Sequence, residues 1–179
     1  MGKIYFLRHG QSVWNVENKI CGRTDIPLTD EGRRQASMMG RNIQEEGIRI
    51  DEILCSPLSR AEETARIIAG ILGAPLRVEP RLTEQDFGIY ESTPRRQNPA
   101  FVDAKRKYFK AVGGGESAMR VSHRIYGLLD ELTKEPGRSI LLVSHNGIAG
   151  VVHSYFHEME NEEYSTFGIQ NCSMNCYDY

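Results

Sequence analysis

Two short apolar runs, each followed by a histidine, constrain this 179-residue chain more than any other feature. Lys3-Ile4-Tyr5-Phe6-Leu7 reads as a buried strand, and Arg8 and His9 follow at its C-terminal end. Ser139-Ile140-Leu141-Leu142-Val143-Ser144 reads as a second buried strand, followed by His145, Asn146 and Gly147. In an open α/β sheet, ligands bind just beyond the carboxyl ends of strands, near helix N-termini. Two histidines at two such ends, one beside an arginine, predict a site built for an anion.

Strand and helix signals alternate along the rest of the chain. Thr29 caps a predicted helix running to about Glu45, with Ala36, Met39 and Ile43 on one face. Ile53-Leu54-Cys55 is a short strand. Ser56-Pro57 then predicts a helix start in the order cap, proline; that helix carries Ala61, Ala65, Ile68 and Leu72 inward and stops at Gly73. Leu76-Arg77-Val78 reads as another strand, residues 80–92 as loop, and residues 100–110 as a basic helical stretch before Gly113-Gly114-Gly115. Ser117 caps a helix with Val121, Ile125, Leu128, Leu129 and Leu132 at helical spacing. Pro136-Gly137 turns into the strand before His145, residues 148–156 read as helix, and residues 173–177 as a final strand. Without repeats or linkers, this predicts one domain over residues 1–179: an α/β fold of three layers, α/β/α, around a mainly parallel central sheet.

Composition excludes some partners. With 22 Lys+Arg against 24 Asp+Glu the net charge is −2, so no global basic field is available for nucleic acid or anionic membrane. No apolar stretch approaches the ~20 residues of a membrane span, and the opening strand pattern leaves no room for a signal peptide. Cys21, Cys55, Cys172 and Cys176 show no CxxC spacing and read as free, mostly buried thiols of a cytoplasmic protein. A homodimer is compatible with this chain, because a pairing surface resembles core when read from sequence.

The chemistry follows from residue types. Arg8 offers a permanently charged planar fork that matches phosphate oxygens, and Arg60, one turn into the helix after a second strand, supplies another. His9 is the candidate nucleophile: neutral imidazole can attack phosphorus and pass the phosphoryl group on. His145 can donate to a phosphate oxygen and stabilise transition-state charge. An acid is also needed for the leaving alkoxide, and Leu82-Thr83-Glu84-Gln85-Asp86-Phe87-Gly88 offers both Glu84 and Asp86. A carboxyl partly buried near incoming phosphate has its pKa raised and suits that role; spacing does not choose between the two.

These residues resemble the histidine phosphatase superfamily, also called phosphoglycerate-mutase-like. Arg8-His9-Gly10 matches its signature, with Ser12 and Asn15 at further polar positions. Gly22-Arg23-Thr24-Asp25 with Pro27-Leu28-Thr29 and Glu31-Gly32, and Ser56-Pro57-Leu58-Ser59-Arg60-Ala61 with Thr64-Ala65, are similar to its next stretches. Gly114-Gly115-Glu116-Ser117 and Val143-Ser144-His145-Asn146-Gly147 extend the match nearly end to end. The resemblance implies that His9 is phosphorylated, that Arg8, Arg60 and His145 form the phosphate pocket, and that Glu84 is the proton donor and then the base. It also implies secondary contacts from Asn15, Arg23 and the backbone beyond Gly10, and Asn146 is a further expected substrate-binding residue.

Departures from the pattern bear on activity. Phe87-Gly88-Ile89-Tyr90-Glu91-Ser92 stands where many phosphatase members have Phe-Gly-x-Trp-Glu-Gly, which alters a turn but removes no charge. Gln11 stands where mutases usually carry Glu, and the segment from Ser92 to Gly113 is short for a mutase. The expectation is therefore an acid-type histidine phosphatase without cofactor, acting on small-molecule phosphate esters, with about residues 89–113 covering the substrate. Mutase-type phosphoryl transfer is the alternative, kept open by Lys105-Arg106-Lys107. A zinc site on His9, His145 and Glu84 is disfavoured because Arg8 and Arg60 would repel a dication, and no helical His-x-x-x-His pair is expected.

Overall fold

The computed structural model describes residues 1–179. Five strands form one sheet: β1 (Lys3–Arg8), β2 (Glu52–Cys55), β3 (Leu76–Val78), β4 (Ser139–Ser144) and β5 (Met174–Asp178), in the order β3-β2-β4-β1-β5. All neighbours are parallel except β5, which runs antiparallel beside β1. The helices are α1 (Val13–Val16), α2 (Asp30–Glu45), α3 (Ser59–Leu72), α4 (Pro99–Lys105), α5 (Ala118–Leu132), α6 (Asn146–Phe156) and α7 (Asn161–Thr166).

The apolar runs of β1 and β4 are continuous because both faces of the sheet are covered. Ile4, Phe6, Ile140, Leu142 and Leu54 pack with Val121, Ile125, Leu128 and Leu129 of α5 and Ile148, Val151 and Val152 of α6. The alternate residues Tyr5, Leu7, Leu141, Val143, Ile53 and Cys55 pack with Ile43 of α2 and Ala61, Ala65 and Ile68 of α3. The chain leaves β1 toward the α2–α3 layer and leaves β4 directly into α6 on the opposite face. Divergence of two neighbouring connections opens a crevice at their carboxyl ends, the usual ligand position in such sheets.

Most predicted boundaries hold. Thr29 Oγ1 accepts from Gly32 N at 3.0 Å as the α2 cap, Ser117 caps α5, and Gly73 ends α3 at φ 65°. Two expectations are corrected. Ser56-Pro57 does not open α3: Leu58 N donates to Ser56 Oγ at 3.3 Å in a tight turn, and the helix begins at Ser59. Its first amide is satisfied from elsewhere, by Asp25 Oδ1 at 2.8 Å. The basic helix is shorter than residues 100–110; it spans Pro99–Lys105 behind an Asn98 cap. The cysteines follow the expectation of free, mostly buried thiols: Cys21, Cys55 and Cys172 are buried and Cys176 is exposed. Residues 88–114 gather over a small core of Ile20, Phe87, Phe101 and Val112.

The loop that follows His9 is seated against the first turn of α2. A Cβ on Gly32 would overlap the Gln11 carbonyl, whereas one on Gly70 in α3 would meet nothing. Gly70→Ala should therefore stabilise the protein by about 0.5–1 kcal/mol through helix propensity. Gly32→Ala should destabilise it by about 1–3 kcal/mol through overpacking, read as denaturant midpoints. A stabilising Gly32→Ala would mean that this loop does not rest on α2.

Candidate active site

β1 and β4 pair with Arg8 opposite Ser144, so the next residue of each strand end, His9 and His145, fall side by side. Their ring centroids lie 5.1 Å apart at 62°. His9 Nδ1 lies 2.6 Å from the Gly10 carbonyl oxygen. A carbonyl only accepts, so Nδ1 carries the proton and Nε2 keeps its lone pair. Burial holds the His9 imidazole well below its ordinary pKa, and the Arg60 and Arg8 charges push the same way. The ring is thus neutral, the form that attacks phosphorus.

His145 is equally buried and likewise pushed well down by burial and by Arg60. Its Nε2 lies 2.7 Å from Ser56 Oγ. Since Ser56 Oγ already accepts from Leu58 N, the network favours its hydroxyl donating to Nε2. That assignment leaves the proton on Nδ1, a buried atom without a protein partner.

The arginines share this character. Arg60, only 1% exposed, donates through Nη2 to Gly22 O at 2.7 Å and through Nη1 to Thr24 O at 3.0 Å. Arg8 Nη1 donates to Ile169 O at 2.7 Å. Neither pairs with a carboxylate, and the Nε of each is buried and unpartnered. Burial lowers the Arg8 pKa to about 10, and the like charges of Arg95 and Arg60 add to this against Glu84. Two guanidinium groups held by carbonyls keep their charge for an external anion.

Glu84 is 5% exposed and stands at the head of α6: Gly147 N donates to Oε2 at 3.0 Å and Gln85 N to Oε1 at 2.9 Å. Asp86 instead accepts from Gly88 N at 2.8 Å and shapes the following turn. The two carboxylates that spacing does not separate thus have different surroundings: Glu84 meets the backbone amide of Gly147, two residues beyond His145, and Asp86 a turn of its own loop.

The remaining predicted residues sit around this centre. Asn15 Oδ1 accepts from Ser12 N and from Asn171 Nδ2, which also donates to the His9 and Gly10 carbonyls. Asn146 Oδ1 accepts from Ile169 N, the residue whose carbonyl holds Arg8. Arg23 is half-exposed and paired with Glu116 at 3.4 Å, so it occupies the rim. Sequence reasoning missed Ser56, Asn171 and Ile169, and it missed Arg95, whose charge acts on both Arg8 and His9. It also overlooked a His-x-x-x-His pair: His153 and His157 stand four apart with rings 4.6 Å from each other. His153 stacks on Phe167, both histidine rings contact Tyr177, and no third ligand joins the pair.

A stability signature follows. An unfolded histidine titrates near pH 6.5, whereas His9 is held well below that when folded. Below about pH 6.5 the unfolded chain binds the extra proton, so stability present above that value is lost as pH falls toward the folded pKa. The His9 contribution to the slope should reach about 1.4 kcal/mol per pH unit in that window. Denaturant unfolding of wild type and His9→Asn at pH 7.5, 6.0 and 5.0 should give a shallower pH dependence for the variant. Parallel curves would mean that His9 titrates alike in both states.

The profile of the histidine phosphatase superfamily (branch 1) matches residues 4–179. A probable phosphoglycerate mutase GpmB of Yersinia pestis is 31% identical over 186 residues, covering 100% of this chain and 86% of that protein. Among solved structures, a mycobacterial glucosyl-3-phosphoglycerate phosphatase complexed with VO3 is similar with a TM-score of 0.86 and 26% identity, covering 97% of this chain and 90% of that one. A putative alpha-ribazole-5'-P phosphatase from Escherichia coli has a TM-score of 0.82 and 26% identity over 97% of this chain and 88% of its own. The chain belongs to the histidine phosphatase superfamily.

Proposed function

We propose that this protein is a phosphomonoesterase that hydrolyses small phosphorylated metabolites through a phosphohistidine on His9, without a metal. One observation carries the reading. A buried neutral imidazole lies against His145 and feels the charges of Arg60 and Arg8, and each of these three residues keeps a buried nitrogen without a protein partner. The Nε2 lone pair attacks phosphorus and the ester P–O bond breaks, while Glu84 passes a proton to the departing oxygen. Water then attacks the phosphorus, Glu84 takes its proton, the Nε2–P bond breaks to return the lone pair to His9, and inorganic phosphate leaves. Arg8, Arg60 and His145 hold the phosphoryl oxygens through both steps.

Hydrolysis is favoured over transfer by Gln11, whose Oε1 accepts from Thr29 Oγ1 at 2.9 Å, and by the short covering segment. Mutase-type transfer is the second reading, supported by the name of the Yersinia relative and by Lys105. Of the basic trio, Lys107 pairs with Asp103 at 2.5 Å and Arg106 is exposed. Lys105 is partly buried without an ion pair and lines a small cavity with Gln85, Asn146 and Gly147; burial lowers its pKa, and the Glu84 charge opposes that shift. An unpaired cation there suits esters whose leaving group is itself anionic.

Brief reaction with labelled substrate should leave acid-labile, base-stable label on His9, and His9→Ala should abolish turnover. Phosphate release should dominate over transfer across a panel including 3-phosphoglycerate plus 2,3-bisphosphoglycerate. Label on a serine or cysteine would sink the mechanism, and transfer exceeding hydrolysis would move the assignment to the mutase reading.

Glu84→Gln should slow cleavage of alkyl phosphates by roughly 10²–10⁴-fold, since an alkoxide needs protonation as it leaves. A nitrophenolate leaves unaided, so the pre-steady-state burst of nitrophenol should survive. Equal loss of the first step for both esters would leave Glu84 without the acid role.

A further inference from the structure

Arg60 owes its orientation to two carbonyls of residues 21–25, a loop without helix or strand. A neutral loop is a soft support for a buried cation unless something fixes its peptide planes. Glu91 does this from the other side. Its Oε1 accepts from Arg23 N at 2.9 Å and Phe87 N at 3.3 Å; its Oε2 accepts from Thr24 N at 2.8 Å and from Thr24 Oγ1. Burial pushes this carboxyl up, but the donors from Thr24, Arg23 and Phe87 outweigh burial and hold it below the ordinary range.

One peptide unit is shared between the two groups. In the trans Gly22–Arg23 peptide the N–H and C=O point in opposite directions. The N–H donates to Glu91 and the C=O accepts from Arg60 Nη2. The unit therefore lies between a carboxylate and a guanidinium, each polarising it in the same sense. Gly22 permits the approach, because a Cβ there would overlap Glu91 Oε1 and lie 2.6 Å from the Gln85 carbonyl oxygen. A carboxylate in direct contact with Arg60 would neutralise the charge that a phosphate needs. Placed one peptide away, it orients the guanidinium and leaves its charge available.

We propose that Glu91 is a positioning residue for Arg60, acting through the Gly22–Arg23 peptide plane. This rests on the reading that Arg60 binds the phosphoryl group. Glu91→Gln keeps the side-chain shape but loses the charge and turns a donor toward Thr24 or Arg23.

The test is a double-mutant cycle on inorganic phosphate affinity, with vanadate inhibition as a second readout. Glu91→Gln should weaken phosphate binding by about 10-fold, the scale of one hydrogen bond to a charged group. Arg60→Lys should weaken it by more. The double variant should bind no more weakly than Arg60→Lys alone, because the positioning residue has lost the group it positions. A merely structural role would instead give additive losses, and this would overturn the proposal, as would unchanged affinity in Glu91→Gln. If Arg60→Lys itself left phosphate affinity intact, the underlying assignment of Arg60 would fail. Should Glu91→Gln not fold, Thr24→Val removes a single donor to Glu91; its smaller loss should also vanish in the Arg60→Lys background, and additivity there would count against Glu91 equally.

Discussion

Parallel pairing of β1 with β4, in the register that sets Arg8 opposite Ser144, is the constraint on which the site depends. It brings two histidines 136 positions apart in the chain into ring contact at one strand edge. A one-residue slip would turn Ile4, Phe6 and their neighbours to the wrong face, so burial in both helical layers holds the register. The apolar core therefore does more than stabilise the sheet: the demand that every side chain of β1 and β4 find its own layer also places the two histidines side by side.

Electrostatics supplies the second condition. Arg60 and Arg8 are desolvated beside two histidines, with carbonyls and not carboxylates as partners. Burial of unpaired charge is unfavourable in isolation. The same arrangement keeps both imidazoles neutral and concentrates positive potential at the histidine edge. Carboxylates nearby act at one remove: Glu84 is engaged by backbone amides at the head of α6, and Glu91 by amides of the loop that carries the Arg60 acceptors.

The antiparallel β5 completes the frame. Because it runs against β1, its N-terminal end lies beside the C-terminal end of β1, with Met174 opposite Leu7. Residues 169–173 are thereby delivered to the histidine edge, where Ile169 holds Arg8, Asn171 binds the His9 and Gly10 carbonyls, and Cys172 N donates to Arg8 O. A parallel final strand would have delivered the opposite end of that segment.

Sequence by itself determined the elements and the residues at their ends. Apolar runs closed by Arg8-His9 and His145, the Thr29 cap and the Gly73 stop are local signals, governed by periodicity and backbone conformation, and they survive into the fold. The motif order also carried the family. Tertiary structure decided what loop side chains face. Ser56 looks like a helix cap by its neighbours, yet its hydroxyl is engaged by Leu58 N and by His145, just beyond β4 and 89 positions away. Glu84 and Asp86 are indistinguishable by spacing, and only the head of α6 separates them. Glu91 and Asn171 carry no periodic signal, because a loop has no fixed side-chain direction until distant backbone supplies its hydrogen-bond partners.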